Sequence, residues 1–334
     1  YCMGAEVIAA LDPLRFGWPR GTGAEARLEI AREVVTGIWE YGNAIGVPNL
    51  GGDVYFHRSF DENCLVNVVA VGIVPCDHIT HSAVPSAAAT EPYDLILVGK
   101  PTDWSGMGGA AFASADLDAA AATRNKGSVQ VPDPFLKRVL RNATRDVLDL
   151  AAAQGVAVGF KDLGAGGIAC VASEIAHAGG FGVEVNLDQV PLQEEGIEPE
   201  VIACAETQER FGWAVPRTFT TAVLRIYNED HELAKVSRGA RAAVVGRFLA
   251  EEEVMRVFWN DEIVGEAKTD DVTAGVVADR KSAPMGNTAT RAAVEPGDAD
   301  LRALALRVLG APNIASKRAL FSHYDQEVQG ATFF

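Results

Sequence analysis

The chain has 334 residues, 48% apolar and 22% charged, a globular balance in a length that exceeds one ordinary hydrophobic core, so two domains or one domain with a long appendage are expected. Its formal charge of −16 excludes broad nonspecific contact with DNA or RNA, and no apolar run approaches the ~20 residues that span a bilayer, so neither nucleic acid nor a membrane is an expected partner. The cysteines at 2, 64, 76, 170 and 204 form no C-x-x-C pair and no disulfide-like framework, which makes a reducing cytoplasm the expected setting.

Residues 1–11 read as an element already under way, with the apolar run Ile8 to Leu11, and further chain is expected before Tyr1. From Ala24 to Tyr41 the apolar positions Leu28, Ala31, Val35 and Ile38 recur at helical spacing, which predicts an amphipathic helix. Two β-rich segments follow, Val54 to His57 and Leu65 to Val74, separated by a polar, hairpin-like Asp61 to Asn63. The small-residue stretch from Pro75 to Pro92 is expected to be a connection. Leu95 to Gly99 reads as a buried strand, and Pro134 to Ala153 as a helix with proline in its first turn.

A strand over 156–160, a turn at Asp162, a helix from about Ile168 to Ala178 and the alternating strand Gly182 to Leu187 come next. Strands alternating with helices predict a layered α/β (α+β) architecture. Short β-like runs continue past Gly246, and 269–300 is poor in large apolar residues, as a linker would be.

Five clusters carry candidate chemistry. Gly42 to Asp53 is glycine-rich, fitting either a tight backbone crossing or the approach of a ligand, with Asp53 as a polar contact. Asp103 to Ser114 holds Gly106, Gly108 and Gly109 after a predicted strand and could form a phosphate-cradling nest, although its spacing matches neither a Walker loop nor a dinucleotide fingerprint. In Gly127 to Pro134, Gln130 has an amide able both to donate to and to accept from a substrate amide or ribose hydroxyl. In Lys161-Asp-Leu-Gly-Ala-Gly-Gly-Ile168 a carboxylate, Asp162, ends a predicted strand beside backbone N–H groups; that arrangement suits a divalent cation held against phosphates. Finally, Ala205-Glu-Thr-Gln-Glu-Arg-Phe211 is a polar segment leading into the apolar strand Trp213 to Val215.

In this order and spacing, these clusters together with Asn313-Ile-Ala-Ser-Lys317 resemble the phosphoribosylformylglycinamidine synthase family, specifically its synthetase subunit or domain, within the aminoimidazole ribonucleotide synthetase superfamily. The resemblance implies a dimerisation-type α/β domain over 1–74, a second α/β domain over 75–268 and a tail from 269 to 334 leading to a second, homologous half. It implies an ATP- and Mg2+-dependent ligase of purine biosynthesis, converting formylglycinamide ribonucleotide to its amidine with ammonia from a glutaminase subunit or domain, and a small accessory subunit as a further partner. Carried over by motif, Gln130, Glu206, Thr207 and Gln208 would contact substrate and Asp162 would bind magnesium. Thr207 stands where the family usually has serine, and Asp53 where it usually has glutamate. The family's catalytic histidine and ATP contacts would precede Tyr1, so none of the six histidines is expected to be catalytic. Two other readings stay open: another ATP-using superfamily member, such as a selenophosphate synthetase or a hydrogenase-maturation protein, and a non-catalytic scaffold that binds nucleotide or pairs subunits.

Overall fold

The computed structural model describes residues 1–109, 129–274, 281–282 and 300–324. The predicted glycine cluster from Ala110 onward, the Gly127–Ser128 start of the glutamine cluster, most of the linker-like tail and the residues after Tyr324 lie outside them. The chain divides into two compact units, one of Tyr1–Ile8, Ala44–Gly46 and Gly72–Ala274, the other of Ala9–Asn43, Val47–Val71 and Gly275–Phe334.

The second unit is built on a four-stranded sheet. Its strands are β1 (Glu6–Phe16), β2 (Asn49–Phe56), β3 (Leu65–Val66) and β4 (Val69–Ile73). The amphipathic helix is present as α1 (Ala24–Ile45) and buries Ala31 and Val35 with Leu14, Phe16 and Phe56. The expected hairpin at Asp61 to Asn63 is not formed. The strand β1 lies between β2 and β3, parallel to the first and antiparallel to the second. At 11 residues β1 is long enough to pair on both edges, and a 3-10 turn at Arg58–Phe60 redirects the chain past it.

The glycine cluster also departs from expectation, because Gly51 and Gly52 lie inside β2 rather than in a loop before it. Gly52 has φ +135, and a Cβ there would sit 2.2 Å from the Asp12 carbonyl oxygen; the residue serves a close strand crossing, where any side chain would clash. Asp53 pairs with Arg15 at 2.9 Å on the neighbouring strand. Leu50, Tyr55, Leu65, Val69 and Val71 are exposed on this sheet. Asn313, from the Asn-Ile-Ala-Ser-Lys motif, uses its amide as a strand would: Oδ1 accepts from the Phe56 N–H at 2.7 Å and Nδ2 donates to the Phe56 carbonyl at 3.0 Å.

The other unit holds a seven-stranded sheet. Its strands are β5 (Tyr93–Gly99), β6 (Gly159–Asp162), β7 (Gly182–Asn186), β8 (Arg210–Pro216), β9 (Arg241–Leu249), β10 (Val254–Trp259) and β11 (Glu262–Lys268), in the order β11-β10-β7-β9-β5-β8-β6. Only β7 and β10 pair in parallel; every other neighbouring pair is antiparallel. The interior strand β5, paired on both edges, is buried throughout and feeds both faces, as its short apolar run predicts.

Ile96 and Val98 enter a core with Phe160, Trp213, Leu136 and Leu140 of α2 (Pro134–Gln154), and Val223 of a further helix over Arg217–Arg225. Leu95 and Leu97 enter a second core with Val183, Val185 and Val171, Ala172 and Ile175 of α3 (Gly167–Gly179). The helix α2 starts as its sequence dictates, with the Asp133 carboxylate accepting from the Leu136 N–H at 2.9 Å and Pro134 in the first turn. The strand expected over 156–160 begins instead at Gly159, where a Cβ would strike the Ala83 carbonyl at 2.2 Å; Val156 and Val158 pack on the core without joining the ladder. All five cysteines are free thiols, and no described helix is long and apolar enough to cross a membrane.

Asn313→Ala removes both side-chain partners of the Phe56 backbone. The variant should lose about 1–3 kcal/mol of folding stability, read as a lowered urea midpoint with unchanged slope.

Candidate functional site

The predicted site residues of this unit gather at one end of its sheet. Strand pairing sets Asp162, the last residue of β6, opposite Phe211, and Gly99, the last residue of β5, opposite Arg210. The carboxyl ends of β5 and β6 and the segment leading into β8 therefore open onto the same edge. Gly99 makes this possible: it has φ +123, and a Cβ would lie 1.9 Å from the Glu209 carbonyl oxygen.

The 205–209 segment owes its shape to Arg210, whose side chain is 1% exposed. The guanidinium donates from Nε to the Thr207 carbonyl at 2.9 Å, from Nη1 to the Thr102 hydroxyl at 2.7 Å and from Nη2 to the Ala205 carbonyl at 2.5 Å. Burial pulls its pKa down to about 10, opposed by the charge of Asp103. Asp103, half-buried after β5, is the second organiser. Its Oδ1 accepts from the Ser105 N–H at 3.0 Å, the Ser105 hydroxyl at 2.6 Å and the Thr207 hydroxyl at 2.9 Å.

On this frame the structure brings four predicted residues together. The Gln130 amide Nε2 donates to Glu206 Oε2 at 3.1 Å, and Gln208 Nε2 donates to the Glu206 carbonyl at 3.0 Å. Gly106, with φ +70, fits closely against this pair: a Cβ would come within 2.8 Å of the Glu206 carbonyl oxygen and 3.2 Å of Gln130 Cγ. Glu206 and Thr207 are buried, Gln208 is half-buried and Gln130 is exposed. The Thr207 hydroxyl is engaged by Asp103, so its first role is to fix the loop. Glu209 holds a left-handed backbone, φ 59, and its carboxylate accepts from the Asp133 N–H at 3.2 Å, tying the loop to the start of α2.

Asp162 lies on the exposed side of the same edge and accepts the Cys2 thiol at 3.5 Å. Burial first, then the Asp162 charge, push that thiol up to about 11, so it is protonated at neutral pH. Lys137 of α2 sits over the Phe211 ring, 4.3 Å from its centroid. Burial lowers its pKa, while Glu209, Cys2 and Asp162 oppose the shift. Among the described residues no three His, Cys, Asp or Glu side chains form a metal cage. A lone exposed carboxylate does fit Mg2+, which keeps several waters and takes one or two carboxylates plus ligand phosphates.

The cavity of ≈ 790 Å³ found in this unit lies elsewhere, lined by Tyr1, Glu6, Thr80, Arg141, Arg145 and others, with both arginines paired to Glu6. It contains none of the predicted residues. Sequence reading passed over Asp103, Lys137 and Arg210 as site residues. Asp103 had a local signal, the Asp-x-Ser turn, whereas the other two depend on pairings across the sheet.

A mixed sheet with helices packed on it, and with amide and carboxylate side chains clustered at one edge beside the exposed Asp162, defines an α+β protein with a polar sheet edge. Residues 1–74 match the family described as AIR synthase related protein, N-terminal domain, and residues 91–256 the corresponding C-terminal domain; the chain belongs to this family. It is 46% identical over 334 residues to phosphoribosylformylglycinamidine synthase subunit PurL of Methanothrix thermoacetophila, covering 99% of this chain and 43% of that protein. Among solved structures it resembles T. maritima PurL complexed with FGAR, with TM-score 0.70 and 31% identity over 85% of this chain and 42% of that one. It also resembles T. maritima PurL complexed with ATP, with TM-score 0.62 and 28% identity over 80% and 38%. The chain thus spans less than half the length of these relatives.

Arg210→Met leaves two loop carbonyls and the Thr102 hydroxyl without their donor. It should cost about 2–4 kcal/mol of folding stability, with Arg210→Lys recovering part of that loss; equal midpoints for Met, Lys and the unaltered chain in urea would show that the clamp is not needed.

Proposed function

We propose that this chain carries the substrate-facing part of the first half of a phosphoribosylformylglycinamidine synthase, acting in the cytoplasm in purine biosynthesis. The observation that carries the reading is the contact between the Gln130 amide and Glu206 beneath Gly106, on the sheet edge where Asp162 ends its strand. The similarity to relatives of that name and to structures complexed with FGAR and ATP supports it.

In the proposed reaction the glycinamide carbonyl oxygen of formylglycinamide ribonucleotide takes the γ-phosphoryl group of ATP, releasing ADP and leaving an iminophosphate, while the formyl group is untouched. Ammonia from a glutaminase partner then forms the new C–N bond at that carbon as the C–O bond breaks, and inorganic phosphate departs. A small accessory subunit completes the proposed assembly. Such chemistry asks for positioning and for stabilisation of phosphate charge more than for a strong base.

The residues of this chain divide the work accordingly. Gln130, whose Nε2 is oriented by Glu206, would offer its Oε1 to a substrate N–H or hydroxyl. Glu206, Thr207 and Gln208 would contact the substrate from the same cluster. Asp162 would hold Mg2+, which when bound supplies positive charge to the phosphates.

The full natural chain, given formylglycinamide ribonucleotide, ATP, Mg2+ and an ammonium salt, should release phosphate and form the amidine; absence of both products would end the proposal. Asp162→Asn should raise the Mg2+ concentration for half-maximal activity by about tenfold or more, and an unchanged metal requirement would remove Asp162 from the site. Gln130→Ala should raise KM for the ribonucleotide about tenfold while folding stability stays within roughly 0.5 kcal/mol, because the side chain is exposed. A large fall in stability with unaltered KM would make Gln130 structural.

A further inference from the structure

Lys137 stands in the first turn of α2, three residues after Pro134, with its N–H bonded to the Asp133 carbonyl at 3.0 Å. Its ammonium lies between two aromatic faces, 4.3 Å from the Phe211 ring centroid and 5.5 Å from that of Tyr1. Phe211 is the cross-strand partner of Asp162, so the ammonium is at the same sheet edge as the predicted metal-binding carboxylate. Among the described residues Lys137 makes no side-chain hydrogen bond and no salt bridge, although Glu209 and Asp162 both act on it electrostatically.

This placement is unfavourable in the free protein for two reasons. A cation in the first turn of a helix opposes the local dipole. A half-buried ammonium has also given up hydration, which aromatic faces replace only in part. What remains is a cation held in place by packing, with N–H donors uncommitted, next to the acid that the proposed function assigns to a phosphate-bridging metal. An anionic oxygen at this edge would satisfy those donors and offset both costs.

We propose that Lys137 donates from Nζ to a phosphate oxygen of the bound substrate, belonging either to the nucleotide or to the ribonucleotide. The inference deepens the functional reading above and rests on it. Phe211 and Tyr1 set the position of the ammonium, and the charges of Glu209 and Asp162 favour its protonated form. The metal at Asp162 and the ammonium would then approach the phosphate group together, as point charges that ask little of ligand geometry.

The test uses the full chain and calorimetric titration with MgATP and, separately, with formylglycinamide ribonucleotide. Lys137→Met should weaken binding of one of these by about tenfold or more while leaving the other within about twofold, and the ligand affected identifies which phosphate is contacted. Lys137→Arg, which retains a donor cation, should hold the same affinity within about threefold. Lys137→Gln serves as the neutral variant if the methionine form melts early. Wild-type affinity for both ligands in a folded neutral variant overturns the proposal, as does an equal loss for both that follows a loss of folded protein. Unaltered protein that binds MgATP but forms no amidine sinks the proposed reaction while the Lys137 comparison still reads on MgATP; protein that binds neither ligand sinks both.

Discussion

The guanidinium of Arg210 is the interaction on which the geometry of the site depends. It is a fully buried charge, and among the described residues no carboxylate is bound to it directly. Its hydrogen bonds run to the carbonyls of Ala205 and Thr207 and to the Thr102 hydroxyl. A buried cation is tolerable only when its donors are spent, and here spending them shapes the loop. The Ala205 and Thr207 carbonyls turn to the guanidinium, while the Glu206 carboxylate accepts from Gln130 and the Glu206 carbonyl from the Gln208 amide. Asp103 completes the arrangement by accepting from the Thr207 hydroxyl and by supplying a negative charge that acts on Arg210. Loop shape and charge compensation are thus the same set of bonds.

Local pattern made much of this legible. Asp133 and Pro134 announce the start of α2, the unbroken apolar run marks β5 as buried on both faces, and the alternation after Gly182 marks β7. Failures occurred where long-range pairing decides the outcome. Nothing local to Val54–His57 or Leu65–Val74 reveals that β1 inserts between them, because an antiparallel hairpin and a three-stranded arrangement demand the same alternation. The strand near 156–160 slipped toward Asp162 for a similar reason. Gly159 is where the chain crosses the Ala83 backbone, and a crossing partner some seventy positions earlier in the sequence leaves no mark on local composition.

The site residues divide along the same line. Glu206 and Gln208 are announced as candidates by a polar segment ahead of an apolar strand, and Gln130 by an amide in the Gly127 to Pro134 cluster ahead of a proline-started helix. Arg210 looks, in sequence, like the last charge of that segment, and only the ladder between β5 and β8 shows that it points inward. Lys137 is one of several basic residues on an amphipathic helix, and its distinction is that β6 and β8 bring Asp162 and Phe211 to it. Both cations gain their meaning from strand register, which a single sequence does not print.

A net charge of −16 is compatible with the proposed anionic ligand once the cations are sorted by what holds them. Lys161 is paired with Glu174 at 2.9 Å, and Arg247 with Glu184, so these charges are neutralised where they stand. Arg210 is consumed by its own loop. Among the described residues at this edge, Lys137 is placed by aromatic rings instead of by a carboxylate, and Asp162 is the carboxylate proposed above to hold the divalent ion. Focusing depends on charges within a few ångströms of the ligand and little on the distant surface, whose field is screened within about 8 Å at physiological salt. An acidic protein can therefore hold a phosphate through a few local contacts, while its overall charge works against the long polyanions that would compete for them.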